Sequence, residues 1–184
     1  CSWALDNPGM PGTISFRIWN PQGAEGFEIF PAMNFVWNNN PMARLMTPTG
    51  SRYFGAEVRP VPGILDAMRS LVLPRYRSKV ENLRILNLEL QPDLPQLARS
   101  EAPLAGGSVE GGKVRIQFSW QGFTFEEEIY GVEEVLRVPV QAMFSQSEIL
   151  YWYLNFLFSF RAAAGRLDDA GKLFYVMISS FRMN

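Results

Sequence analysis

The sequence contains no histidine, one cysteine and only three lysines in 184 residues. Without histidine the chain lacks the usual imidazole base, the commonest transition-metal ligand and the ordinary switch near neutral pH. Serine or cysteine triads that depend on histidine, and zinc sites built on it, are therefore excluded within the chain. The lone Cys1 excludes an internal disulfide framework. No apolar run reaches the roughly 18 residues that a membrane-spanning helix needs. The longest, around Leu150–Phe160, is interrupted by Asn155 and Ser159. Ser145, Ser147, Ser179 and Ser180 have no recognisable base partner, and there is no Gly-x-Ser-x-Gly elbow. None of Lys79, Lys113 and Lys172 falls in a Ser-x-x-Lys arrangement. The glycine pairs at 106–107 and 111–112 have no helix after them and do not read as a phosphate loop.

What is present is a globular composition. Hydrophobic residues make up 47% and charged residues 19%, which favours a large core over disorder. The formal net charge is −1 with both signs interspersed, and the absence of a basic stripe argues against nucleic acid as a partner. The length fits a single domain over 1–184 that folds without disulfide or metal. Cys1-Ser2 at the start suits a lipoprotein cleaved before Cys1. This leads to the expectation of an extracytoplasmic protein whose one membrane contact is a lipid on Cys1, against the alternative that Cys1 is merely where the sequence starts.

Residues 1–12, rich in Pro and Gly, form an arm. Ile14, Phe16 and Ile18 alternate with polar residues and predict a strand over 13–19; Phe27–Phe30 and Phe35–Trp37 continue the strand pattern. Residues 38–51 read as a loop and Tyr53–Val61 as a strand. Ile64, Leu65, Met68, Leu71 and Val72 have helical spacing, and Pro74 ends or bends that helix. Leu83–Leu90 is a strand. Residues 91–112, with three prolines and four glycines, read as a mobile connection. Alternation on both sides of Gln121-Gly122 predicts a hairpin over Val114–Tyr130, with a further short strand at Val135–Val140. Leu150–Phe160 is apolar on both faces and needs cover on both. Leu167, Ala170, Phe174, Met177 or Ile178, and Phe181 then form the stripe of a final helix, with Asp168 and Asp169 at its start. The order of elements predicts an α+β fold, a mainly antiparallel twisted sheet flanked by helices.

The stretch Gly26-Phe27-Glu28-Ile29-Phe30-Pro31-Ala32-Met33, a mid-chain helix, a hairpin and the closing Leu173-Phe174-Tyr175-Val176-Met177-Ile178-Ser179-Ser180-Phe181-Arg182 resemble the PsbP/Mog1-like superfamily from about Thr13 to Arg182. The resemblance is one of pattern. It implies an α/β/α sandwich and the role of an accessory or binding module, among them small secreted domains and envelope lipoproteins. It supplies no binding residues.

Three places have the chemistry for a site. Glu126-Glu127-Glu128, with Glu133 and Glu134, is the densest acidic cluster. Glu126 and Glu128 share one strand face and are weak candidates for a hard cation, but alternation sends Glu127 to the other face, and a solvated strand edge is the expected reading. Trp37, Asn39, Arg44, Arg52 and Tyr53 combine amides, guanidiniums and rings that suit a sugar, a carboxylate or a peptide, against the plainer reading of a turn-rich loop. Tyr151 and Tyr153 flank Trp152 on the opposite strand face and need a helix or a partner over them. No cofactor is implied. The expected function is a non-catalytic binding or accessory domain recognising a protein partner. The alternatives are a glycan hydrolase using Glu126, Glu128 or Glu57, or a homo-oligomeric structural subunit.

Overall fold

A strand that is apolar on both faces belongs in the middle of a sheet, and Leu150–Phe160 lies there. The computed structural model describes residues 2–4, 13–100, 106–142 and 145–180. Ten strands form one sheet: β1 (Ser2–Ala4), β2 (Thr13–Trp19), β3 (Gly26–Ile29), β4 (Met33–Asn38), β5 (Arg52–Tyr53), β6 (Ala56–Val58), β7 (Glu81–Leu90), β8 (Ser108–Trp120), β9 (Phe123–Ala142) and β10 (Ser145–Ala163). Along one edge β10 pairs with β9, which continues to β8 and β7. Along the other edge β10 pairs with two strands in succession. Residues 149–154 bond to β4, which leads to β6 and β5, and residues 158–161 bond to β3, which leads to β2 and β1. Among the described residues only β4 and β6 pair in parallel. The protein is thus α+β, with a mixed, mostly antiparallel sheet.

The fork in the sheet coincides with a bulge. Asn155 faces Val132 and Phe158 faces Tyr130, so β10 uses three steps where β9 uses two. Phe156, with φ 51°, takes up the strain. One extra residue inverts the alternation. Before it Trp152 and Leu154 point to one face; after it Leu157 points there, and Phe158, Phe160 and Ala162 point to the other. The first face is covered by α2 (Ile64–Ala67), a π-helical segment (Met68–Val72) and α3 (Leu73–Tyr76), which follow one another without a break. Ile64, Ala67, Met68, Val72 and Leu73 pack there on Val114, Ile116, Ile129 and Trp152. The second face is covered by α4 (Leu94–Leu97) and α5 (Leu167–Ser180), through Leu94, Leu167 and Phe174. Unlike these, α1 (Pro41–Met46) buries no residue.

Two glycines set how close these layers come. A Cβ on Gly112 would stand 2.8 Å from Cγ1 of Ile64 in α2, and one on Gly111 would stand 2.4 Å from the carbonyl oxygen of Gln91 and 2.8 Å from Cβ of Leu94. Successive residues of a strand point to opposite faces, so one Gly-Gly step seats α2 on one side of β8 and α4 on the other.

Several expectations need correction. The predicted loop 38–51 contains α1, which Asn40 caps by accepting a hydrogen bond from the Met42 amide and which Pro41 begins. Tyr53–Val61 is not one strand but the pair β5 and β6, turning at Phe54-Gly55. Pro74 does not end its helix: the Leu73 amide bonds five residues back, to Met68, and the helical run reaches Tyr76. The connection 91–112 is partly ordered by α4 and by residues 108–112 of β8. The strand expected at Val135–Val140 is the continuation of β9. In β7 an irregularity between Ile85 and Asn87 again inverts the alternation, so Leu83 and Leu88 both pack on the core. The hairpin is as expected, with Gln121 at φ 52° and Gly122 at φ 81°, the two positive values of a tight two-residue turn. Part of the arm 1–12 forms β1 against Thr13–Ser15; Cys1 and residues 5–12 lie outside the described residues, as does Phe181 of the final stripe.

Candidate functional site

The polar residues after β4 are largely employed by the chain itself. The Asn39 side-chain oxygen Oδ1 accepts from the Glu148 backbone N–H at 2.7 Å, and the Asn39 backbone N–H donates to the Glu148 backbone carbonyl at 3.1 Å. Asn38 accepts from the Asn40 amide at 2.9 Å. Asn39 therefore ties the end of β4 to β10. Arg44 lies over the half-buried Trp37 ring at 5.4 Å. Arg52 donates to the Gly55 carbonyl at 3.2 Å, and Tyr53 meets the exposed Phe54 edge-on at 4.7 Å. The turn Phe54-Gly55 extends β6 away from the end of β4 where α1 begins, so the structure brings Trp37 and Arg44 together but seats Arg52 and Tyr53 on the separate β5–β6 pair.

Sequence reasoning passed over the residues between them. Met42, Leu45 and Met46 on α1 are 71%, 76% and 86% exposed. Asn40-Pro41, an N-cap followed by proline at the first helical position, was a readable signal for this helix. Tyr151 and Tyr153 are half-buried. Tyr151 packs on Val36, Ala56 and Val58, a small cluster that contains no helix residue. Burial, with lesser contributions from Tyr151 and Glu134, raises the Tyr153 hydroxyl above its usual pKa. The second sheet face is thus covered by α5 at the Phe158–Ala162 end, whereas at the Tyr151 end the described residues packed on Tyr151 are neighbours within the sheet itself.

The acidic hairpin is not a solvated strand edge. Glu126, Glu127 and Glu133 are all buried, because β9 lies between β8 and β10. Their counter-charges come from distant sequence, which local reading does not see. Glu127 is fully enclosed; it accepts from Arg77 Nε at 2.6 Å and from Arg77 Nη2, fifty residues away. Arg77 also donates to Glu28 at 3.0 Å and lies 5.1 Å over the Phe30 ring. Burial opposes the Arg77 charge, but the Glu127 and Glu28 carboxylates outweigh it and hold the guanidinium firmly protonated. On the opposite face Glu126 accepts from Arg115 at 2.7 Å and from the Gly165 amide at 3.1 Å. Glu128 accepts from Lys113 at 3.2 Å and from the Tyr130 hydroxyl at 2.6 Å. Burial and then this bond to Glu128 raise the Tyr130 pKa strongly. Lys113 and Arg115 thus hold the position a cation would take, and no metal-binding group of three or more His, Cys, Asp or Glu occurs among the described residues. Glu57 is bound at 2.6 Å and 2.8 Å by Arg59, on a different branch of the sheet from Glu126 and Glu128. A crevice lined by Glu28 and Glu127 measures about 10 Å³, far below the volume of a sugar site.

Glu133 is the exception to this pairing. It is 3% exposed, and its Oε2 has no hydrogen-bond partner among the described residues. Burial, with Glu110 opposite it, pushes the carboxyl up to about 7.

Two predictions follow from this arrangement. Glu127→Gln leaves the buried Arg77 charge with only Glu28, at 3.0 Å, as counter-ion and should cost about 3 kcal/mol, whereas joining Glu127→Leu to Arg77→Met should recover most of that loss. Urea unfolding of the single and double variants measures both values; a double variant as unstable as the single would contradict the charge argument. Glu133 ionises near 4.5 when unfolded and near 7 when folded. Between those values the folded chain keeps a proton that the unfolded chain has lost. Its contribution to stability therefore falls as pH rises through that window, by about 3 kcal/mol in total. Glu133→Gln should flatten this fall and raise the urea midpoint at pH 8; an unchanged pH profile would refute it. Comparison with family models, with curated proteins and with solved structures found no match to this chain.

Proposed function

We propose that this chain is a non-catalytic binding or accessory domain that recognises a protein partner through the exposed face of α1. The observation that carries this reading is the placement of Met42, Leu45 and Met46, three large apolar side chains on a helix that buries none of its residues. A helix of six residues is too short to stand on its own propensity, and Asn40 and Pro41 fix where it begins. Methionine side chains adapt to the shape they meet, which suits a docking surface better than a core. Arg44, held against Trp37, adds a cation at the rim, so the matching partner surface is an apolar recess with a carboxylate at its margin.

The same reading takes the helices on both faces of the sheet, with the closing α5, as a PsbP/Mog1-like sandwich, and the protein as extracytoplasmic. The sequence features behind it are the 26–33 and 173–182 stretches.

A photo-crosslinking residue at position 46 should yield a defined conjugate with the partner in native extracts. The double variant Met42→Asp, Leu45→Asp should abolish capture while leaving the thermal midpoint nearly unchanged, since neither residue is buried. A conjugate that persists in the double variant would overturn the α1 reading.

A further inference from the structure

Arg161 stands on β10 beyond the bulge, on the face that α2 and α3 cover, directly opposite Glu127, to which Arg77 at the end of that helical cover is bound. It is half-buried, and its guanidinium lies 5.6 Å from the Trp120 ring and 5.5 Å from the Phe125 ring. Its side chain passes over Gly26, with Nε 2.8 Å from where a Cβ would stand, so only glycine at 26 leaves it room. Burial holds its pKa below the usual arginine value.

The neighbouring acceptors are already taken. Glu127 gives both oxygens to Arg77. Glu28 gives one oxygen to Arg17 at 2.7 Å and the other to Arg77 at 3.0 Å. Three arginines, Arg17, Arg77 and Arg161, thus face two carboxylates, and the unmatched positive charge falls on Arg161, which makes no salt bridge or side-chain hydrogen bond among the described residues and feels Glu127 and Glu28 only at longer range. An arginine held between rings with its donors unmet is a poor structural element and a good anion receptor. The crevice beside it, lined by Arg17, Gly26, Glu28, Glu127 and Ser159, is about 10 Å³, room for a water or one oxygen of an anion. Around it Trp19, Trp120 and Phe123 are exposed.

We infer that Arg161 and this ring of aromatics form a receptor for a carboxylate carried by a peptide segment with apolar flanks. A single surplus charge beside two fixed carboxylates matches a monoanion and disfavours a dianionic phosphate. The exposed tryptophans and phenylalanine match apolar side chains on either side of the acid. The site lies toward the far end of β10 from Glu148 and α1, about 40 Å along the strand, and is independent of the α1 reading.

The test is an NMR titration of the full chain, following the Arg161 Nε–H and Trp120 indole signals. The probes are the blocked peptide acetyl-Leu-Glu-Phe-amide, its Gln counterpart, and inorganic phosphate. Saturable shifts at both signals with the Glu peptide, with the Gln peptide and phosphate at least about tenfold weaker, are expected, and Arg161→Gln should reduce the Glu-peptide affinity by a similar factor. Should Arg161→Gln fail to fold, Trp120→Leu, at the exposed hairpin tip, serves in its place and should weaken binding severalfold. Equal response to the Gln peptide, or tighter binding of phosphate, overturns the peptide carboxylate. No shift with any probe overturns the receptor altogether.

Discussion

One extra residue between Asn155 and Phe158 determines the face on which each later side chain of β10 stands. Without it Phe158 and Phe160 would continue on the side of Trp152 and Leu154, and α5 would meet Ser159 and Arg161 instead of rings. The bulge also lets two strands share one edge of β10, because the chain crosses at Phe30, whose amide bonds to the Leu157 carbonyl at 2.9 Å. The pairing of both β3 and β4 with β10, the burial of Phe174 and the face on which Arg161 stands all depend on this single irregularity.

The bulge also explains why ionic groups lie inside the protein. Past it, the face under α3 receives Ser159 and Arg161 from β10, Glu127 from β9 and Glu28 from β3, while the cover ends in Arg77. A charge taken from water is tolerated only where an opposite charge and enough hydrogen bonds replace the solvent. Arg77 supplies these for Glu127, and because its backbone N–H also donates to the Leu73 carbonyl and its Nη1 to the Tyr76 carbonyl at the end of α3, one residue fixes where the helical cover stops. The fully enclosed pair gives the core a point of register that apolar packing alone would leave looser.

Much of the fold was legible where side-chain period and turn chemistry agreed. The hairpin at Gln121-Gly122, the double-sided strand and the final helix are examples. The failures have physical causes. A bulge changes the parity of a strand, so the alternations of β7 and β10 each misplace residues after Ile85 and after Asn155. A run of glutamates reads as solvated until Arg77, Lys113 and Arg115 arrive from elsewhere in the chain. Of the sequence candidates, Trp37 and Arg44 do meet, whereas Asn39 serves the backbone. Met42, Leu45 and Met46 were overlooked because apolar residues are assumed to be core, and their exposure is a property of the assembled molecule alone.

The Gly111-Gly112 step has one more consequence. Where both faces of a strand carry side chains, a shift on one side is absorbed before it reaches the other. At this step α2 and α4 rest on opposite sides of bare backbone, and a displacement of either passes to the other through a single peptide unit. The two outer layers are mechanically coupled at that point.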